Sequence, residues 1–438
     1  MQAGPYVGYS YSYPHKTAYR EFDCPRRLAQ LWEAEKRDSL FLYVHIPFCE
    51  FRCGFCNLFT YSQPTTELVS GYLRAIRRQA TILRREIPNV RFSRLAIGGG
   101  TPSFLSCSEL EDLFGLLGNS LSLHGSAIPV SFEVSPGTVD VDKLRILHDF
   151  GVDRISMGVQ SFAAHDLASL GRPNEQASIL KAIALVRDIG IETLNLDLIY
   201  GSDRQSIASW TDSVSAAAEI QPEEVYLYPL YVRPLTGLAN INRTPSDHRP
   251  EMYRAARDLL IDAGYTQLSM RMFRKRDLTT NTGMSSLQPD YRCQRDGMIG
   301  LGCGARSYTA ACHYGTNYSV KQPSVLQTIR EYTQNSDSQF GHAFRGFDLD
   351  EDERRRRFLI LSLLLAEGLD IPEYEQFFGS SPLVHFPELQ ELVELEMASS
   401  DGARLRLTEL GIEWSDAIGP WLYSHRVRQL MSEFLWSE

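Results

Sequence analysis

Long apolar runs, surplus positive charge and cysteine are all scarce in this 438-residue sequence, and each scarcity removes a class of protein. The longest apolar run of its C-terminal part, 358–366, contains Ser362. It is too short to span a bilayer, which takes about 20 apolar residues. Residues 1–15 hold no basic stretch leading into an apolar one, so no signal peptide is read there. Lys and Arg number 44 against 54 Asp and Glu, a net charge of −10. That balance speaks against a nucleic-acid-binding surface. Eight cysteines are too few for a disulfide scaffold in a chain of this length. What is present is a 43% hydrophobic composition, ample for a large core. The length allows one barrel-sized domain and a smaller one. The expectation is a soluble, cytoplasmic protein with no nucleic-acid or membrane partner.

The cysteines are unevenly spread. Cys49, Cys53 and Cys56 share one short loop with the spacing Cys-x3-Cys-x2-Cys, just after the apolar segment Leu40–Ile46. Three thiolates so placed close around a metal centre with little backbone adjustment, and they call for a reducing compartment. A structural zinc wants four ligands. An iron–sulfur cubane held by three cysteines leaves one iron open to a cofactor. Gly54 gives the loop a tight turn between the second and third cysteines. Phe48, Phe51 and Phe55 are placed to shield a cluster, whose potential depends on burial. Zinc with His45 as fourth ligand is the alternative.

Downstream, strand and helix patterns alternate. Strands are predicted over Leu40–Ile46, 94–97, Val130–Val134, 154–158, 193–199, 224–228 and 266–270. Helices are predicted over 68–85, from Ser106 with Glu109 completing a capping box, and over 141–149, 177–187, Ile207–Ile220 and 251–263. Repeated βα units predict an α/β fold, a parallel sheet with outer helices curled into a full or partial (β/α) barrel. Functional groups in such folds gather at the C-terminal ends of the strands. Residues 1–38 are expected to form an N-terminal arm, 39–345 the barrel and 346–438 a small, mostly helical domain. In the arm, Tyr6, Tyr9, Tyr11 and Tyr13 either pack on the body or form a flap over the site.

The residues suited to chemistry fall at those strand ends. Gly98, Gly99, Gly100 and Thr101 follow a strand, and glycines there let the backbone approach a ligand. Glu133 alternates with buried-type neighbours on its strand, a costly place for a carboxylate unless it is paired or bound to a ligand. Asn195 and Asp197 share one strand face in the same way. Gln160 and Arg172 complete a polar ring. Tyr226, Tyr228, Tyr231 and Arg233 line a pocket or pack at its rim. Arg271, Arg274, Lys275 and Arg276 read as a solvated basic loop, with the binding of a substrate carboxylate as the alternative. Cys303, in the glycine-dense stretch 300–307, reads as a buried small side chain.

The cysteine spacing is the signature of the radical S-adenosylmethionine (SAM) superfamily. Residues 43–48 resemble the oxygen-independent coproporphyrinogen III oxidase-like branch, which includes class C radical SAM methyltransferases and haem chaperones. The resemblance implies a [4Fe-4S] cluster on Cys49, Cys53 and Cys56. It implies SAM contacts at Tyr43, Gly99, Glu133 and the 302–306 stretch with Ala305. Phe55, Gly100, Thr101, Gln160, Arg172 and Asp197 fall where coproporphyrinogen oxidases place a second SAM. One electron, from a partner such as flavodoxin or ferredoxin, would cleave SAM to a 5′-deoxyadenosyl radical that takes hydrogen from a small-molecule substrate. Residues 12–14 resemble the Ser-Tyr-Pro element of the oxidases' arm, and the final domain resembles their winged-helix-like one.

Two departures bear on the reaction. Leu58 stands where true oxidases carry a further cysteine, and 294–299 lack the haem chaperones' His-Asn-x-x-Tyr-Trp element. The leading expectation is a radical SAM enzyme with methyl or methylene transfer from a second SAM. Coproporphyrinogen oxidation and non-catalytic haem binding are the alternatives.

Overall fold

The computed structural model describes residues 4–10, 12–121, 123, 128–239, 247–276, 293 and 296–435. Tyr11 of the arm and residues 294–295, in the stretch that lacks the haem chaperones' element, lie outside them. One sheet of 13 strands organises the chain. In chain order they are Arg20–Arg27 (β1), Leu40–Ile46 (β2), Phe92–Gly99 (β3), Val130–Val134 (β4), Arg154–Gln160 (β5), Thr193–Tyr200 (β6), Glu224–Pro229 (β7), Tyr265–Gln267 (β8), Met272–Lys275 (β9), Met298–Leu301 (β10), Arg306–Tyr308 (β11), Cys312–Gly315 (β12) and His342–Asp348 (β13). Across the sheet the order is β1-β13-β12-β11-β10-β2-β3-β4-β5-β6-β7-β9-β8. The strands from β10 to β7 run parallel, and the additions on either flank are antiparallel. Among the described residues the outermost strands, β1 and β8, do not pair with each other, so the barrel is partial.

Helices pack outside the parallel block because their apolar stripes have nowhere else to go. Thr66–Glu86 (α1) buries Val69, Tyr72, Leu73, Ile76, Ala80 and Leu83, the stripe read in the sequence. Cys107–Leu121 (α2) begins with the expected capping box: the Ser106 N–H donates to Glu109 Oε2 at 2.8 Å, and the Glu109 N–H to Ser106 Oγ at 3.4 Å. Val141–Phe150 (α3) and Gln176–Ile189 (α4) stop at Gly151 and Gly190, both at positive φ.

The run 266–276 departs from expectation. Its strand ends at Gln267, and after a turn β9 runs antiparallel to β7. The basic cluster is therefore no solvated loop. Arg271 is buried and pairs with buried Asp416, Nη1 to Oδ1 at 2.9 Å, while Arg274 Nε reaches Glu224 Oε1 at 3.0 Å. Its partners lie far along the chain, where a local charge pattern says nothing of them.

Beyond β13, Glu351–Leu363 (α5) carries Asp350 as N-cap, with acid in its first turn as the helix dipole prefers. A small sheet of Leu369–Asp370, Arg404–Leu407 and Ala398–Ser400 follows among short helices. The N-terminal arm lies on this region. The Gly8 N–H donates to Asp416 O at 3.0 Å, Ser10 Oγ meets Tyr423 Oη at 2.9 Å, and the Tyr13 hydroxyl donates to Glu353. Among the described residues, no helix is long and apolar enough to cross a membrane.

Candidate functional site

The C-terminal ends of the parallel strands open into a cavity of about 1240 Å³. Cys49, Cys53 and Cys56 line it, as do Tyr43, Phe55, Gly99, Gly100, Thr101, Glu133, Gln160, Arg172 and Asp197. Residues separated by over 150 positions thus meet at one mouth, because they lie on or follow strands of the same parallel block. Ala305 is the exception. It is buried, and a Cβ placed on Gly300 would meet its Cβ at 2.8 Å, so its side chain packs into the β10–β11 hairpin. Its neighbours Gly304 and Arg306 reach the cavity instead. Tyr228, Tyr231 and Arg233 line the cavity, while Tyr226 stacks on Tyr228 with ring centroids 6.0 Å apart. Tyr9, Ser12, His15 and Lys16 of the arm also line it, as a flap would. Cys303 is fully buried, as expected of a small apolar side chain.

The cysteine loop is held from two sides. The Gly100 N–H donates to Ile46 O and the Thr101 N–H to Phe48 O, both at 2.8 Å. This approach needs glycine: a Cβ on Gly100 would lie 2.7 Å from Phe48 O and 2.9 Å from Cys49 Sγ. On the other side the Gly54 N–H donates to Leu170 O at 3.0 Å, and Gly171, at φ +61°, lies against the backbone of Gly54. Each sulfur has a side-chain partner. Thr101 Oγ1 donates to Cys49 Sγ at 3.6 Å, Arg172 Nη1 to Cys53 Sγ at 3.2 Å, and Thr60 Oγ1 lies 3.7 Å from Cys56 Sγ. Burial pushes the Cys49 thiol up to about 12 and raises Cys53 too, with Thr101 and Arg172 drawing them back.

Zinc on His45 does not fit. His45 Nε2 is bonded to Phe59 O at 2.9 Å and Nδ1 lies 3.2 Å from Tyr43 Oη. Burial lowers its pKa to about 4, so the ring is neutral, the form a metal takes, but both of its nitrogens are already partnered. Among the described residues no three His, Cys, Asp or Glu side chains converge on one ion. A mononuclear site needs such convergence. A cubane does not, since each cysteine takes a different iron.

Two carboxylates face the cavity. Glu133 is open to the cavity's interior yet ringed by protein, and burial raises its pKa to about 7. It accepts a hydrogen bond from the Gly99 N–H at 3.0 Å and has no ion pair among the described residues. Asp197 is raised to about 6, again chiefly by burial. It accepts from Asn195 Nδ2 at 2.8 Å and Ser156 Oγ at 3.2 Å. Gln160 sits at a β-bulge with φ 72°, and its Nε2 lies 2.8 Å from where a Cβ on Gly158 would stand. Thr60, Ser135 and Ser156 escaped the sequence reading, because short hydroxyl side chains carry no pattern of their own.

Residues 43–214 match the family profile described as the Radical SAM superfamily, and 349–414 match the HemN C-terminal domain. The chain is 27% identical over 382 residues to the heme chaperone HemW of Bacillus subtilis, covering 84% of this chain and 95% of that protein. It is 27% identical over 424 residues to the oxygen-independent coproporphyrinogen III oxidase of Salmonella typhimurium, covering 92% and 90%. Its fold matches that of coproporphyrinogen III oxidase (HemN) from Escherichia coli, with a TM-score of 0.80 at 24% identity over 98% of each chain. Proteins of the superfamily bind a [4Fe-4S] cluster and SAM. With its three-cysteine loop at the mouth of a partial βα barrel and that second domain behind it, the chain carries a radical SAM domain over 43–214 followed by a HemN C-terminal domain over 349–414.

Proposed function

We propose that the chain is an enzyme that reductively cleaves SAM and takes hydrogen from a small organic substrate, with a second SAM as methyl or methylene donor. The observation that carries this is a single cavity. The three sulfurs, the Gly99–Glu133 pair and the Gln160–Arg172–Asp197 group all face it. At about 1240 Å³ it exceeds the roughly 300–1,000 Å³ of a pocket for one small ligand. Leu58, where coproporphyrinogen oxidases carry a cysteine, also lines it.

Cys49, Cys53 and Cys56 would hold the cluster. When bound, the cluster supplies the electron that splits the sulfonium bond of SAM. The remaining work belongs to the protein. Glu133, inclined toward its neutral form by burial, would be drawn to its charged form by the ammonium of SAM, which then has a buried carboxylate to meet. Gly99 and Gly100 leave room for the amino-acid moiety beside backbone N–H and C=O groups. Tyr43 and the backbone of 302–306 would flank the same ligand. Phe55, Thr101, Gln160, Arg172 and Asp197 would seat the second. These groups position; none is asked to act as acid or base. The arm would exclude water from above. A small reducing partner such as flavodoxin or ferredoxin would supply the electron. The proposed division is an arm over 1–38, a barrel over 39–345 and a small domain over 346–438, the arm lending β1 and the last junction β13 to the edge of the barrel's sheet.

Anaerobic reconstitution with iron and sulfide, dithionite reduction and product analysis of SAM test the reading. 5′-Deoxyadenosine is expected, and with substrate S-adenosylhomocysteine as well. Cys53→Ala is expected to abolish both, and unchanged cleavage in that variant would refute the cluster assignment. Oxidative decarboxylation is the second reading, favoured by the likeness to named coproporphyrinogen oxidases over most of both chains. Carbon dioxide without S-adenosylhomocysteine would select it.

A further inference from the structure

We infer that Arg172 sets the reduction potential of the cluster through its hydrogen bond to the Cys53 sulfur, a role separate from holding any ligand. The inference rests on the cluster reading above. Three observations support it. Each sulfur has one side-chain partner, but only Cys53 has a charged one, Arg172 Nη1 at 3.2 Å. The guanidinium is fixed by the protein before any ligand arrives: Nη2 donates to Gly158 O at 2.6 Å and to Ser135 Oγ at 3.2 Å, with Phe51 5.8 Å from Cζ. Finally, Arg172 is 92% buried and has no carboxylate partner among the described residues, and its Nε is unpartnered. A buried arginine without a carboxylate is costly unless another anion balances it. The anionic centres nearest it before any ligand binds are the thiolates that hold the cluster: Cys53, which it hydrogen-bonds, and Cys49, which its charge also reaches.

The backbone explains the aim. Leu170 and Gly171 dock on Gly54 between Cys53 and Cys56, and Arg172 is the next residue. The segment that seats the cysteine loop therefore delivers the cation to it. Hydrogen bonds to cluster sulfurs and nearby positive charge favour the reduced, more negative state, so they raise the potential. The thiolate bond also depends on charge, because a charge-assisted hydrogen bond is about twice as strong as a neutral one.

Spectroscopic redox titration of the reconstituted full chain, without SAM, is the test. Relative to wild type, Arg172→Gln is expected to lower the reduced-to-oxidised ratio at fixed potential on the order of tenfold, or ~59 mV for one electron. Arg172→Lys should recover part of this, and Thr101→Val should shift it in the same direction by less. Equal potentials in wild type and Arg172→Gln overturn the inference while leaving the cluster in place. A wild-type chain that takes up no iron and sulfide overturns the cluster reading instead. If only Arg172→Gln fails to load, alkylation of the metal-free chain at fixed pH decides, with the labelled cysteines located by mass mapping. Slowing at Cys53 alone supports the inference, and equal slowing or none at all three cysteines overturns it.

Discussion

Replacing Gly100 by alanine tests how tightly the glycine segment holds the cysteine loop. The added Cβ would lie 2.7 Å from Phe48 O, 2.9 Å from Cys49 Sγ and 2.9 Å from the carbonyl carbon of Pro47. All three are closer than carbon tolerates, and two are backbone atoms that cannot swing aside. Gly100 has no positive φ to lose, so the whole effect is packing. Overpacking of this kind costs about 1–3 kcal/mol. The strain has two outlets. The bonds from Gly100 and Thr101 N–H to Ile46 O and Phe48 O lengthen, or Cys49 moves. Either displaces a ligand sulfur, so iron and sulfide per chain after anaerobic reconstitution should fall several-fold. The urea midpoint of the metal-free chain should fall as well. Gly115→Ala is the control. It lies in α2 with nothing within 4 Å of the new Cβ, and is expected to stabilise by about 0.5–1 kcal/mol. A Gly100→Ala chain that loads and unfolds like wild type would refute this account of the loop.

Asp416→Ala leaves Arg271 buried without its partner, at a cost of about 3–5 kcal/mol, and should lower the thermal midpoint far more than any surface change. A drop no larger than that of Asp401→Ala would show the pair is dispensable. Glu133 has a folded pKa of about 7, above its ordinary value, so its contribution to stability is full below about pH 4.5 and is lost as pH rises through about 7. Between about pH 5 and 8 the ligand-free wild type should therefore lose more thermal stability than Glu133→Gln, and parallel profiles would contradict the burial of that carboxylate. Ser106→Ala removes the cap of α2 and should cost about 1 kcal/mol by urea denaturation, with cluster loading unchanged.

The parallel block was legible in the sequence because its elements are long and periodic. α1 shows its stripe over 21 residues, and the strand ends carry glycines and single carboxylates that no packing rule would place there. The same alternation put Glu133 and Asp197 on the inner face. A carboxylate between buried neighbours has to point where they do not. The cysteine loop needed only its spacing.

The last parallel strand, β10, and the antiparallel strands beyond it were not legible, for a physical reason. β10 to β12 are three or four residues each and are separated by Gly302, Gly304 and the turn at 309–311, so local pattern reads them as loop. Their pairing is decided by β2, more than 250 residues earlier, which offers β10 a free edge. Arg271 fails the local reading in the same way: a cation beside three others looks solvated until Asp416, 145 positions later, is brought against it. Ala305 shows what a motif places and what it does not. A matching residue places its backbone, but its side chain goes where Gly300 leaves space. Arg172 combines both kinds of information. Its place among the ligand-facing residues is implied by the family resemblance, but its contact with Cys53 exists only because two glycines, 54 and 171, let distant backbones touch. Side chains that face a ligand follow from periodicity, whereas side chains that tune a metal ligand follow from the docking of loops.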